Sequence, residues 1–257
     1  MEWLGLLWLG KPLWMWLGVR TLIAGLLAVV VYRVGGGWAG LVAYAVGLPI
    51  MFLVAVSQRF TYHIVRLAAN GLAAVGGLER RKGFDLLIDA LAALDGRVHA
   101  VLVGDGTEAQ RRAMEERARE RGVIDRIHLP GRREDAASIT AASDAFVLPS
   151  RSEGFAVAML EAMAAGRPVV SADVAGAWEG LAARAGRPAA GWIVPVEDAD
   201  ALAAALREVV DGIRAGAPEV RDRAAEGAWR AANWFTIDRM IDGYEAVLAG
   251  RAPGDRP

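Results

Sequence analysis

From Asn70 onward, short apolar runs that favour β-strands alternate with longer stretches whose apolar residues recur at helical spacing. The strand-like runs are LAAVGGL (72–78), VHAVLVGDG (98–106), RIHLPG (126–131), DAFVLPS (144–150) and RPVVSAD (167–173). A run WIVPV after Gly191 and three further helical stretches, which end at Leu248, complete the pattern. This order predicts βαβ units and therefore an α/β fold, with a Rossmann-like parallel sheet, helices on both faces and right-handed crossovers.

The first 70 residues have a different composition. Residues 34–57 carry no charge, and this segment is long enough to cross a bilayer, which needs ~20 apolar residues. Residues 13–32 are similarly apolar but are interrupted by Arg20, and the three glycines from Gly35 to Gly37 would allow a tight connection between the two spans. We expect residues 13–56 to form a membrane-inserted helical hairpin, so that the chain divides into a hydrophobic segment, 1–70, and a second domain, 71–257.

The basic residues that flank this hairpin predict its orientation. Lys11, Arg59 and Arg66 would lie on one side and Arg33 on the other, so the positive-inside rule predicts a membrane-associated protein whose soluble domain is cytoplasmic. Five of the nine tryptophans fall within the first 38 residues, where amphipathic rings suit a membrane interface. Three alternatives stay open: a signal peptide, a very apolar buried helical pair in a soluble protein, and a wrongly assigned gene start.

Composition excludes several classes of function. The chain has no cysteine, which rules out disulfides, a thiolate nucleophile and a Cys-ligated metal. Its formal net charge is −1 and it lacks a basic stripe, which argues against nucleic acid as a partner.

Ligands of parallel α/β sheets bind outside the carboxyl ends of the strands, so the loops after the strands are the candidate sites. Gly104-Asp105-Gly106 would let the backbone approach a ligand closely, and a plain turn is the alternative. Lys82 and Gly83 begin the first helix, where a lysine beside free helix amides could meet a phosphate. The alternative is a solvated base in the run from Arg80 to Lys82.

The loop PSRSEGF (149–155) leads into FAVAMLEAMAAG, a stretch that is apolar all round and is therefore predicted to be a buried helix. Glu161 is its sole ionisable residue and, if buried, needs a hydrogen-bonding partner or a ligand. A structural cap or a buried pair with an arginine is the alternative. Gly154 and the amides that follow it lie at the helix N-terminus, a position suited to a phosphate or sugar oxygen.

Four segments together resemble the C-terminal half of a family 4, retaining glycosyltransferase of the GT-B fold. They are GGLERRKGFDLLIDAL, VHAVLVGDG, DAFVLPSRSEGFAVAMLEAMAAGRPVV and GWIVPVEDADALAAAL, in the family's order and spacing. The central element is the E-x7-E motif, here Glu153 and Glu161. The resemblance implies a glycosyltransferase that uses a nucleotide sugar of the UDP, GDP or ADP type, with a lipid-linked or envelope glycan as the expected acceptor.

The resemblance also implies roles for particular residues. Glu161 would bind the ribose hydroxyls, and Glu153, as the catalytic residue, would contact the transferred sugar together with the amides of Gly154 and Phe155. Lys82 would bind the diphosphate.

Further along the sheet edge, the resemblance places Gly104, Gly131 and Arg132 near the base and ribose. It implies no metal and no cofactor. Asp198-Ala199-Asp200 is predicted to cap the following helix rather than to hold a metal.

The sequence departs from the family pattern in two ways. Gly77 stands where an arginine usually provides a second diphosphate ligand, so Arg80, Arg81 or Arg151 would have to replace it. A hydrophobic segment also stands where the acceptor-binding Rossmann-like domain is expected, so a second chain could supply that domain. The alternative functions are a non-catalytic nucleotide-sugar-binding membrane subunit, a truncated inactive transferase and, more remotely, a GT-B epimerase.

Overall fold

The computed structural model of the chain describes residues 70–184 and 186–250. The expected hairpin at 13–56, and all of the hydrophobic segment 1–70 except Asn70, lie outside the described residues. Within the described ranges, no helix has the length and apolar character needed to cross a bilayer. The described fold is therefore that of the second predicted domain.

The described residues contain six strands: β1 (Asn70–Val75), β2 (Val98–Val103), β3 (Ile127–Gly131), β4 (Ala145–Leu148), β5 (Val169–Ala172) and β6 (Trp192–Val194). They form one sheet in the order β3-β2-β1-β4-β5-β6, and every neighbouring pair is parallel. Each strand lies within or overlaps one of the six strand-like runs of the sequence. The predicted parallel α/β sheet is confirmed.

Eight α-helices connect or follow these strands in the same part of the chain: α1 (Phe84–Ala92), α2 (Glu108–Glu120), α3 (Ala136–Ala142), α4 (Val157–Ala164), α5 (Ala177–Leu181), α6 (Ala199–Ala215), α7 (Pro218–Asn233) and α8 (Ile237–Leu248). Short 3-10 turns span Arg80–Lys82 and Ile124–Arg126.

Both faces of the sheet are buried because successive side chains of a strand point to opposite sides. Leu72 of β1 belongs to the apolar cluster beneath α1 and α6, whereas the next residue, Ala73, belongs to the cluster beneath α4 and α5. Val147 and Phe146 of β4 divide between the two clusters in the same way. Double burial explains why the strands are apolar throughout rather than alternating, and it confirms that helices cover both faces.

Candidate functional site

A crevice for ligands is expected beside β1, where the chain order of the strands reverses. β1 lies between β2 and β4, and the helices that follow β1 and β4 pack on opposite faces of the sheet. The loops after these two strands therefore diverge from adjacent strand ends. In doubly wound sheets, this switch point is where ligands bind.

Lys82 and Glu153 meet at this switch point. Lys82 Nζ donates a hydrogen bond to Glu153 Oε1 at 2.7 Å, and the buried Ser150 hydroxyl donates to the same oxygen at 2.7 Å. Arg81 lies 3.4 Å from the other carboxylate oxygen. The Glu153 side chain is only 7% exposed. Its burial acts to raise the pKa of the carboxyl, but the hydrogen bonds from Lys82 and Ser150 outweigh burial and hold the pKa below its ordinary value.

Gly83 allows the loops after β1 and β4 to approach this closely. Its φ is 66°, in the left-handed region, and a Cβ on it would lie 1.9 Å from the carbonyl oxygen of Pro149. Glycine is therefore needed here for its conformation and also for its lack of a side chain. The close approach places Lys82, the residue just before Gly83, beside the loop that carries Glu153.

Arg151 joins three loops of this edge. Its guanidinium binds the Asp85 carboxylate through two hydrogen bonds of 2.7 and 2.8 Å, and its Nε donates to Glu197 at 2.5 Å. It also donates to the carbonyl oxygen of Arg80 at 2.6 Å. These carboxylates raise the pKa of Arg151, which stays charged. Because its donors are engaged by protein groups, Arg151 is poorly placed to replace a diphosphate-binding arginine.

Arg80 and Arg81 are the other two residues that could replace the diphosphate-binding arginine absent at Gly77. The Arg80 side chain is 81% exposed and lies 3.7 Å from Glu197. The Arg81 side chain is 48% exposed and lies 3.4 Å from both Glu79 and Glu153. Of these two cations, Arg81 is the one that reaches the switch-point carboxylate.

Glu161 differs from its sequence-based expectation. The residue is exposed, as are Val157, at 64%, and Ala164 on the same helix α4. The prediction that α4 is buried all round, with Glu161 as a buried carboxylate, is therefore wrong, and the competing explanation of a buried pair with an arginine is wrong with it. The Glu161 carboxylate, which is exposed, has no hydrogen-bond or ion-pair partner among the described residues.

Gly154 and Phe155 lie immediately before α4. Among the described residues, no side chain caps this helix, whose first amides have no intrahelical acceptors. Phe155 is 41% exposed and packs against Phe235, with ring centroids 5.6 Å apart. An added Cβ on Gly154 would meet no atom of the described residues within 4 Å. The backbone at this helix start is accessible to a ligand.

Gly104 and Gly131 are brought together at the other side of β1. The Gly104 amide donates to the carbonyl of Gly131 at 3.0 Å, and a Cβ on Gly104 would lie 1.7 Å from the carbonyl oxygen of Gly76. Close packing against Gly76 therefore requires a glycine at position 104, whether or not this residue also binds a ligand. Gly131 has a φ of 77° with open space around it, and the next residue, Arg132, is exposed.

Asp198 behaves as predicted for a helix cap. Its carboxylate accepts a hydrogen bond from the Ala201 amide at 2.8 Å, at the start of α6. The capping prediction for Asp198-Ala199-Asp200 is confirmed.

Three residues at the site were not found by sequence reasoning: Ser150, Asp85 and Glu197. Ser150 stands within the quoted loop motif, and a hydroxyl three residues before Glu153 was an available signal. Asp85 and Glu197 gave no such signal, because they reach Arg151 from 66 and 46 residues away.

These features define a class of protein: a Rossmann-like domain of the GT-B type, whose candidate ligand site lies at its switch point. The chain belongs to the glycosyl transferases group 1 family, whose model matches residues 69–211, more than half of the sequence.

Two relatives illustrate the similarity. The lipopolysaccharide core biosynthesis glycosyltransferase LpsE of Rhizobium meliloti is 33% identical over 179 residues, which cover 69% of this chain and 49% of the relative. A D-inositol 3-phosphate glycosyltransferase of Mycobacteroides abscessus is 30% identical over 194 residues, which cover 72% of this chain and 41% of the relative. The chain spans about half the length of the curated relatives it matches.

Solved structures share the fold. HepE of Anabaena, crystallised with UDP and glucose, has a TM-score of 0.63 at 24% identity, with 73% of this chain and 52% of that chain covered. The C-terminal domain of LpcC, a glycosyl transferase group 1 family protein of Francisella tularensis, has a TM-score of 0.56 at 22% identity. There, 65% of this chain and 87% of that chain are covered.

Proposed function

We propose that the chain is a retaining glycosyltransferase of family 4 that uses a nucleoside diphosphate sugar, and that residues 71–257 form its donor-binding C-terminal half. The observation that carries the proposal is the pairing of Lys82 with Glu153 beside the uncapped start of α4. A cation and free amides suit a diphosphate, and a carboxylate suits sugar hydroxyls. The match of the chain to most of the LpcC C-terminal domain supports the assignment to that half.

The proposed donor lies along the carboxyl edge of the sheet in strand order. Gly104, Gly131 and Arg132, after β2 and β3, are assigned to the base and ribose end. Lys82, after β1, is assigned to the diphosphate, and Glu153, after β4, to the transferred sugar. β1, whose loop carries the proposed diphosphate ligand, stands between β2 and β4.

Two further assignments concern α4. The amides of Gly154 and Phe155 are assigned to the sugar and its phosphate, and Glu161 to the ribose hydroxyls. The exposed Glu161 carboxylate has no partner among the described residues, so it can accept hydrogen bonds from a ligand without losing an internal one.

In the proposed reaction, the bond between the anomeric carbon and the diphosphate oxygen breaks, and the acceptor hydroxyl oxygen bonds to the same face of the sugar. The O–H bond of the acceptor breaks, and its proton passes to the departing diphosphate oxygen. The bonding electrons leave with the nucleoside diphosphate. Lys82 and the amides at the start of α4 would stabilise that growing negative charge, which is commonly the largest contribution in such transfers. We propose that these groups act without a metal ion or a cofactor.

The donor test is a calorimetric titration of the full-length protein with UDP-, GDP- and ADP-sugars in excess chelator. UDP-glucose is the first probe, since UDP and glucose are bound to the similar protein HepE. Saturable binding of one donor in chelator supports the proposal. Absence of binding to all three at millimolar concentration contradicts it, and binding that appears only after metal is restored contradicts metal independence.

We also propose membrane association, with residues 13–56 as an inserted hairpin, the soluble domain cytoplasmic and a lipid-linked or envelope glycan as acceptor. Support comes from the apolar spans of the sequence and from relatives named for lipopolysaccharide core biosynthesis. Carbonate extraction of cell membranes tests the hairpin. The full-length protein should stay in the pellet, and its release into the supernatant would refute insertion.

A second candidate function is a non-catalytic nucleotide-sugar-binding subunit that completes its site with another chain. The observation that favours it is Gly77, which stands where the family usually has an arginine that binds the diphosphate. Donor consumption and product formation, measured with and without native membranes, separate the candidates. Transfer by the purified chain alone supports the first, and donor binding without turnover until membranes are added supports the second.

A further inference from the structure

Trp178 presents an exposed indole at the carboxyl edge of the sheet. The residue is 59% exposed and lies in α5, just after the loop that follows β5. Its Nε1 donates a hydrogen bond of 2.6 Å to Oδ1 of Asp173, the residue directly after β5. The polar group of the indole is thus satisfied by the protein, while the ring remains open to solvent.

Each of the other tryptophans of the described region has a cation against its ring. A guanidinium lies over each ring: Arg223 is 4.5 Å from the centroid of Trp192, Arg187 is 3.4 Å from Trp229, and Arg230 is 5.0 Å from Trp234. Trp178 has no such cation among the described residues. Its ring face is therefore available to a ligand.

The loop that leads to Trp178 touches the candidate donor site. Gly176 has a φ of 84°, and a Cβ there would lie 2.7 Å from Cδ2 of Phe155. Phe155 follows Glu153 by two residues in the loop after β4, and β5 is the strand next to β4. In the proposed arrangement the transferred sugar lies at the loop after β4, so Trp178, which follows the neighbouring strand β5, lies beside that sugar.

We propose that Trp178 and Asp173 form a subsite for a pyranose ring of the acceptor. This inference rests on the proposed function. The face of an indole is electron-rich, and the C–H groups of a sugar ring are weakly positive because each carbon bears an oxygen. A ring held by a hydrogen bond loses little freedom on stacking, which favours binding.

Asp173 supplies the polar half of the subsite. The residue is exposed, and Oδ1 of its carboxylate accepts the hydrogen bond from Trp178. The other oxygen, Oδ2, has no partner among the described residues. That oxygen can accept a hydrogen bond from a sugar hydroxyl at the edge of the stacked ring. An aromatic face beside a carboxylate oxygen matches the apolar face and polar rim of a pyranose.

The test is NMR of the full-length protein with 15N-labelled tryptophan, in which Trp178→Phe identifies the Trp178 indole signal. With UDP at saturation, methyl α-D-glucopyranoside and methyl α-D-mannopyranoside are the probes. We expect at least one glycoside to shift the Trp178 signal saturably in the millimolar range. Asp173→Ala should weaken that binding at least threefold, whereas Trp229→Phe, the matched control, should leave it unchanged.

The outcomes separate the subsite from the proposed function. A Trp178 signal that neither glycoside moves, in protein that binds UDP normally, overturns the subsite alone. A signal that UDP moves without any glycoside assigns the ring to the nucleotide and also overturns it. Failure to bind any nucleotide sugar overturns the proposed function instead. Trp178→Ala should change UDP affinity by less than twofold, which separates a local role from a loss of folding.

Discussion

Lys82 Nζ lies 2.7 Å from Oε1 of Glu153, although 71 residues separate the two in the sequence. The cation assigned to the diphosphate and the carboxylate assigned to the sugar therefore neutralise each other before any ligand binds. A donor that binds both groups must break this ion pair, with its diphosphate binding Lys82 and its sugar hydroxyls binding Glu153. The binding of the nucleotide and that of the sugar are consequently linked.

Glu153→Gln should separate these two contributions. The variant frees Lys82 from its ion pair, so affinity for UDP alone should be unchanged or higher. Affinity for UDP-glucose should fall about tenfold relative to UDP, because a charge-assisted hydrogen bond contributes about 1.5–3 kcal/mol. Parallel calorimetric titrations of both ligands measure the difference. Equal losses for the two ligands would show that Glu153 does not contact the sugar.

Glu161→Gln should lower nucleotide affinity without lowering stability. The exposed carboxylate has no partner among the described residues, so its loss costs the fold nothing, while ribose binding loses about 1.5–3 kcal/mol. UDP titration and thermal unfolding give the two values. Glu116→Gln, an exposed glutamate of α2, is the control. A lower unfolding temperature with normal UDP affinity would instead assign Glu161 a structural role.

Gly83→Ala should both destabilise the domain and weaken nucleotide binding. An alanine in the left-handed region costs about 1–2 kcal/mol, and here its Cβ would also lie 1.9 Å from the Pro149 carbonyl oxygen. Gly122→Ala is a matched control, since Gly122 has a φ of 68° with nothing within 4 Å. Urea unfolding should show the larger loss for Gly83→Ala. Equal losses of unfolding free energy in the two variants would mean that the loops after β1 and β4 can move apart at little cost in free energy.

The stability of the domain should fall as the pH drops below about 6.5. His99 Nδ1 and His128 Nε2 lie 3.1 Å apart, and their rings are stacked. Burial lowers the pKa of both; Arg126 adds to the effect at His99, and His99 adds to it at His128. The unfolded chain, with histidine pKa values near 6.5, then binds more protons than the folded chain, so acid favours unfolding.

Thermal unfolding between pH 5.5 and 7.5 measures this effect. The wild-type melting temperature should fall toward pH 5.5, and the double variant His99→Gln/His128→Gln should show a flatter profile. His63→Gln, which removes the third histidine of the chain, is the control. An unchanged slope in the double variant would show that other groups cause the acid sensitivity.

Local pattern determined the architecture of residues 70–250. The apolar runs of the sequence became the six strands of the described region, and Asp198 caps α6 as expected. These features depend on neighbours within a few residues, so periodicity and residue type suffice to predict them. The E-x7-E motif and the loops after the strands likewise predict which edge of the sheet carries the candidate site.

The environment of each residue was decided only by the tertiary structure. The sequence of α4 is almost entirely apolar, which predicted a buried helix, yet Val157 and Glu161 are exposed. Burial depends on what packs against a helix as well as on its own residues. Strand order also decides which ion pairs form. Lys82 pairs with Glu153, and Arg151 pairs with Asp85 and Glu197. Strand order joins residues that are 46 to 71 positions apart, and no local sequence pattern encodes such contacts.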